Sequence, residues 1–181
     1  MWKLKTVTIG CLAVLCASVL ADTLSVPVDN AVIISGRIDG KDRSRILLKF
    51  TMPETLRSAS VDHAGIIFDN PAKLMRKNVT IHARPITTAW DPDNVRWDYP
   101  WLRPGGDFDS TQLYSYSLRQ EDSLRAMLDF TDDVHSWQSG RDYNGTIIMR
   151  PAREGGGFGA EVHLLRALLQ QTRVRFYFTG E

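Results

Sequence analysis

Cysteine is nearly missing from this 181-residue chain: Cys11 and Cys16 are the two there are, and both sit in an apolar run near the start. Whatever follows that run has neither a disulfide nor a thiolate ligand, so a fold there must rest on its core alone. An excess of one charge is missing too. Lys and Arg total 22 against 21 Asp and Glu, a net charge of +1, which gives no bulk electrostatic reason to expect nucleic-acid binding. The uncharged run Thr6 to Leu20 has 15 residues, short of the roughly 20 a membrane helix needs. His63, His82, His135 and His163 are dispersed, with no H-E-x-x-H motif and no pair at metal-ligand spacing. No G-x-S-x-G nucleophile elbow occurs. Among Glu54, Glu121, Glu154, Glu161 and Glu181 nothing marks the carboxylate pair a glycosidase uses. These absences point to a chain that is not an enzyme and holds no metal at a recognisable motif.

The first residues do carry a pattern. Lys3 and Lys5 precede the uncharged run, which ends Val19-Leu20-Ala21 before Asp22. A basic start, an apolar middle and a small-residue exit are the order of a secretory signal peptide, expected over residues 1–21. A retained anchor is the competing reading, and the shortness of the run argues against it. A lipoprotein is disfavoured because Leu15, not a small residue, precedes Cys16. Removing the leader takes both cysteines and two of the 22 basic residues, leaving 20 against 21 acidic. The expected product is secreted or extracytoplasmic, without a stable membrane span. It is a single module over residues 22–181, long enough to bury about two thirds of its unfolded surface.

Periodicity over those residues is mostly that of strands. Val79, Ile81 and Ala83 alternate with polar neighbours, as do Val174, Phe176 and Phe178, and Leu24, Val26 and Val28. Such alternation marks half-buried strands. Arg45 to Phe50, Ala64 to Phe68, Arg125 to Phe130, Thr146 to Arg150 and Val162 to Ala167 are further short candidates between turn residues. One helical turn is signalled: Thr131 as cap, Asp132 and Asp133 in the first turn, Val134 and Trp137 on one face, Gly140 as stop. Leu164 to Leu169 also fits helical spacing but ranks below the strand reading. Asp91 to Ser110 and Pro151 to Gly159 read as long loops. Many short strands with one helical turn indicate an all-β, antiparallel sandwich or barrel.

The landmarks in the centre are Trp90, then Val95-Arg96-Trp97, then Pro104-Gly105-Gly106-Asp107-Phe108. Val134-His135-Ser136-Trp137 and Asn144-Gly145 follow, and the strand Ser44-Arg45-Ile46-Leu47-Leu48-Lys49-Phe50 lies upstream. This succession resembles the DNRLRE-type domain, which is related to a non-catalytic repeat of archaeal disaggregatase and is similar to carbohydrate-binding modules. The resemblance runs from Asp22 to the end of the chain. It implies a β-sandwich of jelly-roll type, exported or at the cell surface, with Trp90, Trp97, Gly105, Gly106, Asp107 and Trp137 as structural motif residues and polysaccharides such as alginate as ligands. Two features depart from the family pattern. Its late Ser-Arg-Glu-like tripeptide matches Leu165-Arg166-Ala167 here, and its early Asn-x-Gly loop is not evident between Asn30 and Gly40.

Several residues could carry binding. Trp97, Tyr99 and Trp101 are two apart, and in an extended segment would share one side. An aromatic row stacks on sugar rings at small entropic cost. Against this, Trp90 and Trp97 suit a core, and Pro100 rules out a central strand. Arg84, Arg96 and Arg103 flank the region, and arginine forks match uronate carboxylates. Arg84 shares a polar strand face with Thr80 and His82, a candidate groove for a polymer. The resulting ligand set is Tyr99, Trp101, Arg103, Arg84 and His82. Lys73, Arg76 and Lys77 read as a solvated cluster. Asp91, Asp93, Asp107 and Asp109 could hold a structural Ca²⁺ or simply cap turns. The expectation is a secreted, non-catalytic module that binds a polysaccharide or cell-surface glycan, acidic ahead of neutral. A structural or adhesive surface protein acting through protein contacts is the alternative, and a small polysaccharide-degrading enzyme a third reading.

Overall fold

The computed structural model describes residues 22–69, 78–119, 125–150 and 172–179, together with Val162, His163, Leu165, Arg166, Leu168 and Leu169. The expected signal peptide, the Lys73/Arg76/Lys77 cluster and the stretch from Pro151 to Gly159 expected as a loop lie outside these residues.

Among the described residues, nine strands form two antiparallel sheets. They are β1 (Asp22–Pro27), β2 (Asn30–Ile38), β3 (Lys41–Lys49), β4 (Ser60–Asp69), β5 (Val79–Pro85), β6 (Tyr114–Leu118), β7 (Arg125–Asp129), β8 (Thr146–Met149) and β9 (Thr172–Thr179). One sheet has the order β1-β9-β4-β7, the other β2-β3-β8-β5-β6. The chain changes sheet at nearly every connection, so neighbours in a sheet come from distant parts of the sequence. β1 pairs with β9, and β3 with β8. Without β2, the order is the eight-stranded double sheet of a jelly roll. β2 is an added edge strand beside β3.

The β2–β3 hairpin follows from Asp39-Gly40. Both residues have positive φ, 49° and 72°, and Ile38 pairs with Lys41 across them, the geometry of a type I′ turn.

The main core lies between the sheets. Ile46 and Leu48 of β3, Ile81 and Ala83 of β5, and Ile148 of β8 face Ala64 and Ile66 of β4, Leu128 of β7, and Val174 and Phe176 of β9. The helix α1 (Thr131–Gln138) packs at one end. Val134 is fully buried there, and Trp137 joins Phe50, Phe130 and Tyr143 in an aromatic cluster. Gln138 Nε2 donates to the carbonyls of Leu56 and Ala59, tying α1 to the turn before β4. Gly140 takes a positive φ of 95° and its N–H returns to the Trp137 carbonyl, ending the helix.

Three local expectations need correction. The N-cap of α1 is Phe130, without a side-chain cap bond. Thr131 sits inside the first turn, its hydroxyl donating to Asp129 and accepting from the Ala64 N–H. The segment expected as a strand from Val162 to Ala167 is helical at Val162, His163, Leu165 and Arg166. Leu165 and Leu168 are fully buried in the main core, so three-residue spacing, not alternation, places its apolar residues inward. β2 and β6 are strands outside the expected set.

Candidate functional site

The outward face of the five-stranded sheet is unusually apolar. Ile34 of β2, Leu47 of β3 and Ile147 of β8 point away from the main core, yet all three are buried. Water cannot cover such a face cheaply. The long connection from β5 to β6 covers it instead, and a second hydrophobic cluster forms with Ile86, Trp90 and Trp101, supported by Trp97 and Phe108.

The loop is fastened at named points. Trp90 Nε1 donates to the Asn144 carbonyl at 2.6 Å, and Trp101 Nε1 to the Arg96 carbonyl at 2.7 Å, so both indoles bury without an orphaned donor. The Asp107 carboxylate accepts from the Thr88 hydroxyl at 2.9 Å and from the N–H groups of Leu102 and Arg103 at 2.7 and 3.1 Å. The Arg45 guanidinium lies 5.2 Å from the Trp97 ring centre and 5.5 Å from that of Phe108, and donates to the Gly105 carbonyl. Arg84 stacks 5.3 Å from Phe108 and donates to the carbonyls of Asp109, Ser110 and Gln112. Gly105 and Gly106 have φ of 96° and 105°, which side chains rarely adopt.

Gly36 on β2 faces the Trp97 ring: a Cβ there would fall 2.2 Å from Trp97 Cγ. Gly36→Ala should therefore destabilise by about 1–3 kcal/mol through overpacking, read as a thermal midpoint several degrees lower. An unchanged midpoint would mean that Trp97 is not seated on this strand.

The candidate ligand residues are placed very differently from one another. Trp101 is 7% exposed and Tyr99 is 59% exposed. The segment is not extended. A tight reversal bridges Arg96 and Tyr99, with a cis Tyr99–Pro100 bond. Trp97, Tyr99 and Trp101 therefore do not share a side, and the aromatic row expected from spacing is not formed. Arg84 directs its Nη1 donors onto the loop, as above. His82 is half-buried on β5, between Ser115 and Met149 in register. Arg103 is exposed. The structure instead groups Tyr99 with Asn94, Arg96 and Asp98 around an open cleft of about 520 Å³. Asn94 and Asp98 were not singled out by the sequence. The one signal for Asn94 was the turn composition of Asp91-Pro92-Asp93-Asn94.

The loop aspartates are engaged in their own turns. Asp91 accepts from the Asp93 N–H and the Asn94 amide. Asp109 accepts from the Thr111 hydroxyl and N–H, which hold its carboxyl below the usual aspartate range. Among the described residues no group of three or more His, Cys, Asp or Glu comes together as a metal site. Of the five glutamates only Glu54 is described, in an exposed ion pair with Arg57.

A second, smaller pocket of about 250 Å³ opens at the end of the sandwich, between the start of the loop and the segment joining α1 to β8. Asp133 of α1 does not line it but lies within electrostatic reach of two residues that do, Asp109 and Arg141. It is fully buried, and neither carboxylate oxygen has a hydrogen-bond partner. Burial pushes its carboxyl up to about 6. The Tyr114 hydroxyl and the Arg141 charge pull the other way, the hydroxyl near enough to matter but not aligned as a full hydrogen bond. The same burial, with the Asp133 charge, pushes the Tyr114 hydroxyl up.

No family model and no curated protein matches this chain. Among the described residues no helix is long and apolar enough to cross a membrane.

Proposed function

We propose that the chain is a secreted, non-catalytic module that binds carbohydrate at the cleft beneath Tyr99, with acidic polysaccharides as the favoured ligands. The observation that carries this reading is the mounting of Tyr99: a 59% exposed ring on a loop whose other aromatics are buried, as Trp101 is, or half-buried against the sheet, as Trp97 and Phe108 are. A ring held this way loses little entropy when a sugar face stacks on it. Arg96, Asn94 and Asp98 line the same cleft and supply donors and acceptors for hydroxyls. Arg96 and the exposed Arg103 add the charge that suits uronate carboxylates. The resemblance to the DNRLRE-type domain supports the same ligand class.

The test is affinity electrophoresis through gels containing alginate, pectate or a neutral glucan. Retention by an acidic polymer should fall roughly tenfold in Tyr99→Ala, about 1.4 kcal/mol, with the thermal midpoint unchanged. Wild-type protein running unretarded in every gel would remove the proposal. The alternative of a structural or adhesive protein draws on Leu102, which is 92% exposed on the same loop. Sedimentation that finds large stable assemblies would favour that alternative.

A further inference from the structure

The pocket at the end of the sandwich uses different residues from the Tyr99 cleft. Thr87, Asp109, Trp137, Arg141, Asp142 and Asn144 contribute to its wall. Its floor is stiff. The Trp137 ring packs on Tyr143 with centres 4.0 Å apart. Asn144 Nδ2 donates to the Thr87 carbonyl, and the Ile86 N–H to the Gly145 carbonyl. Its polar groups are not fully used. The Arg141 side chain makes neither a hydrogen bond nor an ion pair among the described residues, although its charge is felt by both Asp109 and Asp133. Close by, Asp133 is wholly buried with both oxygens unpartnered. A buried unpartnered carboxylate costs stability, and an arrangement that keeps one calls for a reason beyond packing.

Size and charge narrow the ligand. At about 250 Å³ the pocket lies below the roughly 300–1,000 Å³ of ordinary small-molecule sites, so it suits one ring, not a chain. Two acids, Asp109 and Asp142, share the wall with one Arg, and the buried Asp133 lies within electrostatic reach of Asp109 and Arg141. A carboxylate ligand meets net repulsion there, the reverse of the Tyr99 cleft. A neutral polyol fits, because each hydroxyl both donates, to Asp109 or Asp142, and accepts, from Arg141. Trp137, in the same wall, offers an apolar surface for the ring carbons. We infer that this pocket binds a single neutral sugar ring, free or at the end of a chain, through Arg141, Asp109 and Asp142 against Trp137.

The experiment is an NMR titration of the ¹⁵N-labelled protein with glucose, galactose, mannose and glucuronate, each alone, following the Trp137 indole N–H and the Arg141 side chain. At least one neutral hexose should shift both signals in a saturable way. Glucuronate should bind at least tenfold more weakly. Arg141→Ala, a change at an exposed residue, should weaken the hexose at least tenfold, and Tyr99→Ala should leave it unchanged. Absence of a shift at Trp137 with every neutral hexose overturns the inference. So does a response that survives Arg141→Ala, or glucuronate binding as tightly as hexose. Because monosaccharides report on this pocket and gel retardation on the Tyr99 cleft, the two sites fail separately.

Discussion

Trp101→Ala should cost the fold about 3–5 kcal/mol, the usual loss for truncating a buried tryptophan, and should do so whether or not a polysaccharide is present. Trp101 is 7% exposed and lies in the second cluster with Ile34, Leu47 and Ile147. Its indole N–H is fixed to the Arg96 carbonyl. Truncation leaves a cavity on the outer sheet face, frees that carbonyl and unseats the reversal that presents Tyr99. Urea denaturation followed by circular dichroism measures the loss. A midpoint within about 0.5 kcal/mol of wild type, the range of ordinary surface changes, would show that the loop does not pack on the sheet as described. Sugar retention lost by this variant thus reports on the mounting of the cleft, while loss in Tyr99→Ala at full stability reports on contact with the ligand.

Asp133→Asn should do the opposite and stabilise the protein, with a pH dependence that identifies the cause. The folded Asp133 carboxyl titrates near 6, against 3.8 for an ordinary aspartate. Between those values the native state holds a proton that the unfolded state has released, so stability from this group falls as pH rises through the interval and is flat above it. Above pH 6 the penalty is fully present, and below 3.8 it vanishes. At about 1.4 kcal/mol per tenfold change in proton affinity, and with allowance for solvent screening beside the pocket, the amide should gain on the order of 2 kcal/mol at pH 8. The gain should shrink to nearly nothing below pH 4. Denaturation of both proteins at pH 8, 6 and 4 checks this. Equal gains at all three values would assign the effect to packing instead of charge. Asp109 and Asp129, held below the usual range, act in the reverse sense. They support the fold above the ordinary aspartate value and lose that support as pH falls through their own lowered values, so the comparison must be made between variants at each pH.

Much of the fold was legible. β1, β3, β4, β5, β7, β8 and β9 overlap segments whose apolar residues alternate or cluster between turn residues, and the two acids ahead of Val134 marked α1. Two strands escaped for different reasons. β2 is apolar at consecutive positions because it is covered on both faces: Ala31 and Ile33 pack against the main core, Val32 and Ile34 against the second cluster. Alternation is therefore absent, and the one signal that could have found the hairpin, the Asp39-Gly40 turn, was not used. In β6, Tyr114-Ser115-Tyr116-Ser117 does alternate, but its inward residues are tyrosines, which apolar counting overlooks. The segment around Leu165 was misread because a short apolar stretch satisfies both periods, and the buried pair Leu165 and Leu168 decided for helix.

By itself, the chain's pattern of residues determined an all-β, antiparallel fold, a sandwich or a barrel, with a helical turn after β7; it marked the central tryptophans as structural and showed that recognisable catalytic motifs are missing. Those are consequences of local periodicity and residue chemistry, which act over a few positions. The tertiary structure alone decided which aromatic faces water. Tyr99 and Trp101 are two residues apart with equivalent surroundings in sequence, and they part because one side of the loop meets an apolar sheet contributed by β2, β3 and β8. The uncommitted Arg141 beside a buried Asp133 was equally out of reach, since the two lie in a helix and a following loop and acquire their meaning from the depth at which the sandwich encloses them.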